Sequence, residues 1–407
     1  MESAKVIAGL ARIVRDVGLA EELAQDALVV ALEKWPESGI PENPGAWLMG
    51  TAKHRAVDAL RRQGTLQRKQ TEIARELELQ QEVEIDLDAL DDHISDDLLR
   101  LMFISCHPIL STEARTALTL RLLGGLTTSE IARAFLAPEA TVAQRIVRAK
   151  RTLAEASIPF EVPGREEFPE RLSSVLEVIY LIFNEGYLAT AGEDLVRPAL
   201  CEEALRLGRV LAGLAPDEAE VHGLVALMEI QASRIRARVG PNGEALLLSE
   251  QDRSRWDRLL IDRGLAALAR AEQLGGARGA YALQAAIAAC HARARSADET
   301  DWNRITELYS LLAGAAPSPV VELNRAVAVA MAFGPAAGLE LVEALRAEPS
   351  LKAYHLLPSV RGDLLEKLGR YAEASLEFEQ AASLTLNRRQ RDLLLDRAAS
   401  ARAQSPD

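Results

Sequence analysis

Apolar positions recur at helical spacing along almost the whole chain, and their clearest run lies between Leu126 and Leu153. There Val142, Ile146, Ala149 and Leu153 stand at i, i+4, i+7 and i+11 and predict one buried helix face. Thr141, Gln144, Arg145 and Arg148 lie off that face. Just upstream, Thr127 and Glu130 have capping-box spacing, which predicts a helix running to about Phe135. Pro138 suits the first turn of the next helix, where a missing N–H costs nothing. Together these signals predict a helix-turn-helix. Nearer the N-terminus, Leu23, Ala27, Val30 and Ala31 form one apolar stripe, and Leu28, Leu32 and Trp35 a second beside it. Glu22, Asp26 and Glu33 occupy the remaining, acidic face. The segment Pro36–Pro44 then interrupts the pattern, and Asn43-Pro44 reads as N-cap and first position of a helix that ends in Arg61-Arg62.

Composition strengthens the helical reading. Hydrophobic residues make up 48% of the 407 positions and aromatics only 4%, with Ala, Leu, Glu and Arg dominant. No sustained period-2 run is present, so an all-α chain of two small helical domains and a longer helical solenoid is expected. No apolar run reaches the roughly 18 residues of a membrane span. The N-terminus carries charges within its apolar pattern and lacks a small-residue cleavage site. These features predict a cytoplasmic protein with no membrane partner. Cys106, Cys201 and Cys290 are far apart and lack CxxC partners, so reduced thiols and no metal site are expected. No cofactor motif occurs.

Charge is distributed unevenly. The chain carries a net charge of −13, yet four basic residues and no acid fall between Thr141 and Arg151. Such a local positive face suits contact with phosphates and base edges. Lys53, Arg55, Arg61, Arg62, Arg68 and Lys69 face a single acid, Asp58, in their own stretch. Glu76–Asp97 then holds ten carboxylates and no Lys or Arg, the composition of an exposed linker. Expected sections are 1–65, the linker 66–97, a helical section 98–160 with the helix-turn-helix, and a C-terminal section 168–407. Between the last two, EVPGREE (Glu161–Glu167) reads as a hinge.

Two blocks resemble a known family. AQDALVVALEKW with NPGAWLMGTAKHRAVDALRR is similar to region 2 of bacterial sigma factors. The stretch from Asp96 to Leu153 is similar to their region 4. Two such domains and a short acidic linker match the compact extracytoplasmic-function class. The resemblance implies a non-enzymatic protein that lends promoter specificity to RNA polymerase core. It places Gln25, Asp26 and Glu33 against the β′ clamp helices and region 4 against the β flap. It gives Ser38, Asn43, Lys53, His54, Arg55, Arg61 and Arg62 to −10 promoter DNA. It sets the second helix of the helix-turn-helix in the major groove of the −35 element. Arg145 and Arg148 would then read guanine and Gln144 adenine, while Thr141, Lys150 and Arg151 orient the helix on phosphates.

Farther on, GRYAEASLEFEQAASL resembles the second half of a tetratricopeptide repeat, with Gly369, Tyr371, Ala374, Phe378 and Ala381 in family positions. Leu365 and Leu386 depart from the family's tyrosine and proline. A tetratricopeptide-like solenoid with a groove for a protein or peptide partner is the expectation. FNEGY (Phe183–Tyr187) resembles a recurrent element of the sigma subgroup with such extensions, and the four-residue spacing of Phe183 and Tyr187 favours packing. The competing reading is a stand-alone helix-turn-helix regulator with a tetratricopeptide-like sensor, which leaves the Ala24–Arg62 block unexplained.

Overall fold

A chain rich in Ala, Leu, Glu and Arg folds as helix after helix. The computed structural model describes residues 2–64, 87–240 and 244–405, with side chains 2, 58–64 and 87–95 outside that description. Eighteen α-helices lie among the described residues, and the sole paired strands are two residues each. The fold is all-α, as the sequence predicts. It divides into two compact units, Met1–Leu181 and Ile182–Asp407.

The first unit opens with α1 (Glu2–Val14), α2 (Val17–Ser38) and α3 (Pro44–Gly64), where hydrophobic patterning predicts only two helices. The break falls at Arg15, whose φ is 53°. Asp16 restarts the helix by accepting a hydrogen bond from the Leu19 N–H at 2.8 Å. Helix α2 also runs through Pro36 to Ser38, so the interruption expected over Pro36–Pro44 shortens to residues 39–43. Gly39, at φ +82°, ends it, donating its N–H to the Trp35 carbonyl.

Helix α4 spans Leu87–Ser105, so the linker expected over 66–97 is helical in its last third, which is the second half of the acidic run. Asp97 is buried and accepts from Arg12 at 3.0 Å and from Arg100 at 2.6 Å. Paired this way, its carboxylate leaves water without an uncompensated charge. Residues 65–86, with Arg68, Lys69 and the first half of the acidic run, lie outside the described residues. Helices α5 (Thr112–Leu122), α6 (Thr128–Ala134) and α7 (Glu139–Glu155) follow.

The division between the units falls within α8 (Phe168–Tyr187). On its first half, Phe168 packs against Phe103 with ring centroids 5.4 Å apart, Arg171 donates to the Phe103 carbonyl and Ser174 to the Cys106 carbonyl.

The second unit is built from α9 (Pro198–Leu214), α10 (Ala219–Ala232), α11 (Arg258–Gln273), α12 (Ala280–Arg293), α13 (Trp302–Ala315), α14 (Pro319–Phe333), α15 (Pro335–Leu345), α16 (Leu356–Lys367), α17 (Tyr371–Leu384) and α18 (Arg388–Gln404). Helices adjacent in sequence pack against each other, and buried side chains of α12–α14 and of α14–α18 form two separate clusters. In α16 and α17, Ala374, Phe378 and Ala381 are fully buried. A Cβ on Gly362 would come within 2.8 Å of the Phe378 ring, so only glycine allows this approach. Strands β1 (Ala191–Gly192) and β2 (Leu386–Asn387) pair in parallel. The buried Asn387 amide donates to the Ala189 and Asp194 carbonyls, tying the start of the unit to its end.

Candidate nucleic-acid interface

The helix-turn-helix is built as its sequence signals require. Thr127 caps α6: its hydroxyl accepts from the Glu130 N–H, and Glu130 accepts from the Thr127 N–H at 2.8 Å. Pro138 is the N-cap of α7, one position before the first helical turn expected for it. Val142, Ile146, Ala149 and Leu153 are buried, which leaves the opposite face of α7 to solvent. Gln144, Arg148 and Arg151 are exposed and Thr141 and Arg145 half-buried. Arg151 pairs with Glu155 at 2.6 Å, both side chains well exposed. Such an exposed pair contributes little to stability. Sequence reasoning passed over Val147, which is 64% exposed between these polar groups. Its signal was its position off the buried stripe. An exposed apolar side chain there is suited to a thymine methyl group.

The residues assigned to the first domain are less uniformly free. Asp26 and Arg55, given separately to polymerase and DNA, form an ion pair at 2.5 Å. Gln25 donates to Glu21 at 2.6 Å, and Glu33 is exposed. The Asn43 side chain caps α3 by accepting from the Ala46 N–H at 2.9 Å, and the Ser38 hydroxyl donates to the Lys34 carbonyl. His54 is exposed, while Lys53 is half-buried. Burial, followed by the nearby Arg12 charge, draws the Lys53 ammonium below the usual lysine range. The side chains of Arg61 and Arg62 lie outside the described residues. The second apolar stripe of α2 is only partly covered: Leu28 and Trp35 are half-buried and Leu32 is 76% exposed, with the neighbouring Val29 also in solvent. Trp35 meets Trp47 edge to face at 5.4 Å, both half-buried.

One carboxylate joins these parts. Glu21 is buried on α2 and receives Arg121 of α5 at 2.6 Å and the Lys150 ammonium of α7. Arg121 also donates to the Leu126 carbonyl, just ahead of α6. Lys150, expected on DNA phosphate, is here the partner of Glu21. The sequence signal for Glu21 was its place on the stripe of Ala20, Ala24, Ala27 and Ala31, which is buried throughout.

Comparison with known proteins agrees with this arrangement. Residues 2–65 match sigma-70 region 2, residues 100–153 match sigma-70 region 4, and residues 171–272 match a family of unknown function, DUF6596. The chain is similar to "Uncharacterized protein R00370" of Rhizobium meliloti (strain 1021), with 44% identity over 388 residues, covering 94% of this chain and 90% of the relative. The chain therefore belongs to the same family as that Rhizobium meliloti protein, and it carries sigma-70 regions 2 and 4 ahead of a DUF6596 segment.

Proposed function

We propose that this chain is a cytoplasmic sigma factor of the extracytoplasmic-function class. It binds RNA polymerase core, directs initiation at −10 and −35 promoter elements, and depends on its C-terminal helical unit for full activity. The observation that carries this reading is the order of regions 2 and 4 together with the solvent-facing side of α7. Region 2 and the −10 contacts occupy residues 1–65, and region 4 residues 98–160. In the −35 major groove Arg145 and Arg148 face guanines, Gln144 an adenine and Val147 a thymine methyl. Thr141 and Arg151 hold the phosphates, with Lys150 joining them once it leaves Glu21. On α2, the exposed Val29 and Leu32 beside Glu33 and Asp26 offer the β′ clamp helices an apolar centre with charged edges. His54, Arg55 and the chain around Ser38 and Asn43 lie toward −10 DNA. The protein itself catalyses nothing; the polymerase supplies the chemistry. The tetratricopeptide-like reading of the C-terminal unit rests on the glycine and alanine positions of α16 and α17, and its groove would take a protein or peptide.

The test is reconstitution. Purified full-length chain plus core polymerase should start transcripts at one position on a genomic promoter library, and neither component alone should do so. Sequence-specific DNA binding without any gain in initiation on adding core would favour the stand-alone regulator instead.

A further inference from the structure

In this acidic chain, half-buried arginines of the second unit usually meet a carboxylate: Arg197 meets Glu185, Arg206 meets Glu203, and Arg209 meets Glu229. One cluster departs from that rule. Arg234, Arg238 and Arg253 come together around Tyr187 and Trp256, and none has an ion-pair partner among the described residues. The Arg234 guanidinium lies 5.9 Å from the Tyr187 ring centre and 5.7 Å from that of Trp256. The Arg238 guanidinium sits 3.7 Å over Tyr187. Arg234 is 7% exposed. Arg253 spends its donors on the His291 and Ala294 carbonyls and the Thr300 hydroxyl, so it is a strut that adds charge. Stacking on aromatic faces offsets only part of the cost of burying these cations.

The unpartnered polar atoms show what is missing. Nε of Arg234, Nε of Arg238 and the indole nitrogen of Trp256 are buried without a hydrogen-bond partner, and all three can only donate. Although Arg234 also donates to the Gln231 side-chain oxygen and Glu299 lies near Arg253, these three buried donors without acceptors, among guanidiniums without an ion-pair partner, call for an anion with several acceptor oxygens. Arg238 and Tyr187 are half-exposed, so the cluster is reached from the surface at that side, while Arg234 is buried.

We infer that the second unit holds a binding site for a small-molecule oxyanion, a phosphate or carboxylate group, formed by Arg234 and Arg238 between Tyr187 and Trp256. This site is separate from the nucleic-acid interface and makes the unit a receptor for an anionic metabolite.

Trp256 supplies a reporter within the site. The full-length chain is titrated with inorganic phosphate, and separately with citrate, at constant ionic strength, following tryptophan emission and the melting temperature. A saturable emission change in either arm, lost in Trp256→Phe, with a melting temperature raised by a few degrees, is expected. The arm that saturates identifies the oxyanion. Arg238→Gln, at a half-exposed position, should keep the helical circular dichroism and weaken binding by about tenfold or more. Arg148→Ala, on the nucleic-acid face, should bind as wild type does. The proposal is overturned if neither anion gives a saturable response, or if Arg238→Gln binds as tightly as wild type.

Discussion

Two buried side chains have consequences that a test tube can read. Glu21 is 4% exposed and holds two cations that are themselves about four-fifths buried. Glu21→Gln removes the only negative member and leaves Arg121 and Lys150 uncompensated, a loss of about 3 kcal/mol in urea unfolding. It also frees Lys150, so the salt dependence of DNA binding should steepen by about one counterion. An unchanged unfolding midpoint would show that the three groups are not a unit. His291 is 8% exposed, and burial first, then the Arg234 and Arg253 charges, hold its imidazole at about 3. The unfolded chain takes up that proton near pH 6.5, while the folded chain stays neutral until about pH 3. Its stabilising effect is therefore complete above pH 6.5 and is lost progressively as pH falls toward 3. Between pH 7 and 5 the loss should be about 2 kcal/mol, and it should vanish in His291→Gln. Parallel pH dependence in the two proteins would assign the effect to other groups.

Among the helices, α7 carries the sharpest prediction. Arg148→Ala should relax base preference at one −35 position, costing about 1–3 kcal/mol of discrimination. Arg151→Ala should weaken all sequences alike and lower the salt slope by about one. Quantitative footprinting on a randomised −35 element separates the two, and identical profiles for both variants would refute the division of labour. This helix was legible in the sequence because its four buried positions, and the capping box of α6 just before it, both have local signatures. Other elements were less so. Apolar periodicity places Leu28, Leu32 and Trp35 on one side of α2 but cannot say whether anything covers that side, and Leu32 proves exposed. The break between α1 and α2 has neither Gly nor Pro, only Asp16 as cap and Arg15 in left-handed backbone. Pro36 suggested a loop, yet the last turn of a helix accommodates it. Asp97 reads as part of an exposed acidic linker and no local pattern names the partners of Glu21, because Arg12, Arg121 and Lys150 come from distant segments. The separate assignments of Asp26 and Arg55 met the same limit, since no sequence pattern pairs α2 with α3 at that point.

At the scale of the whole molecule, the question is what the second unit adds to two sigma regions. Cutting at the Glu161–Glu167 segment looks natural from sequence, but it strips α8 from the first unit. Phe168 then no longer covers Phe103, and Arg115 loses Ser174 and Glu177. A 1–164 fragment should therefore unfold several kcal/mol more easily than 1–181, because it forfeits an aromatic contact and exposes the face that Phe168 buried. The 1–181 fragment, with these contacts kept, is the proper probe of function. Helix α7 is intact in it, so it should bind −35 DNA as the full chain does. With core polymerase it should initiate poorly, because the second unit has its own tie through Asn387 and an arginine cluster that does not imitate DNA. A cover for regions 2 and 4 would present acidic surface to their basic faces, whereas a required contact has no need of it. Run-off transcription with equal amounts of full chain and 1–181 decides between the two roles. Output that falls on truncation, with DNA affinity unchanged, supports a positive contribution. Output that rises identifies the second unit as a built-in inhibitor.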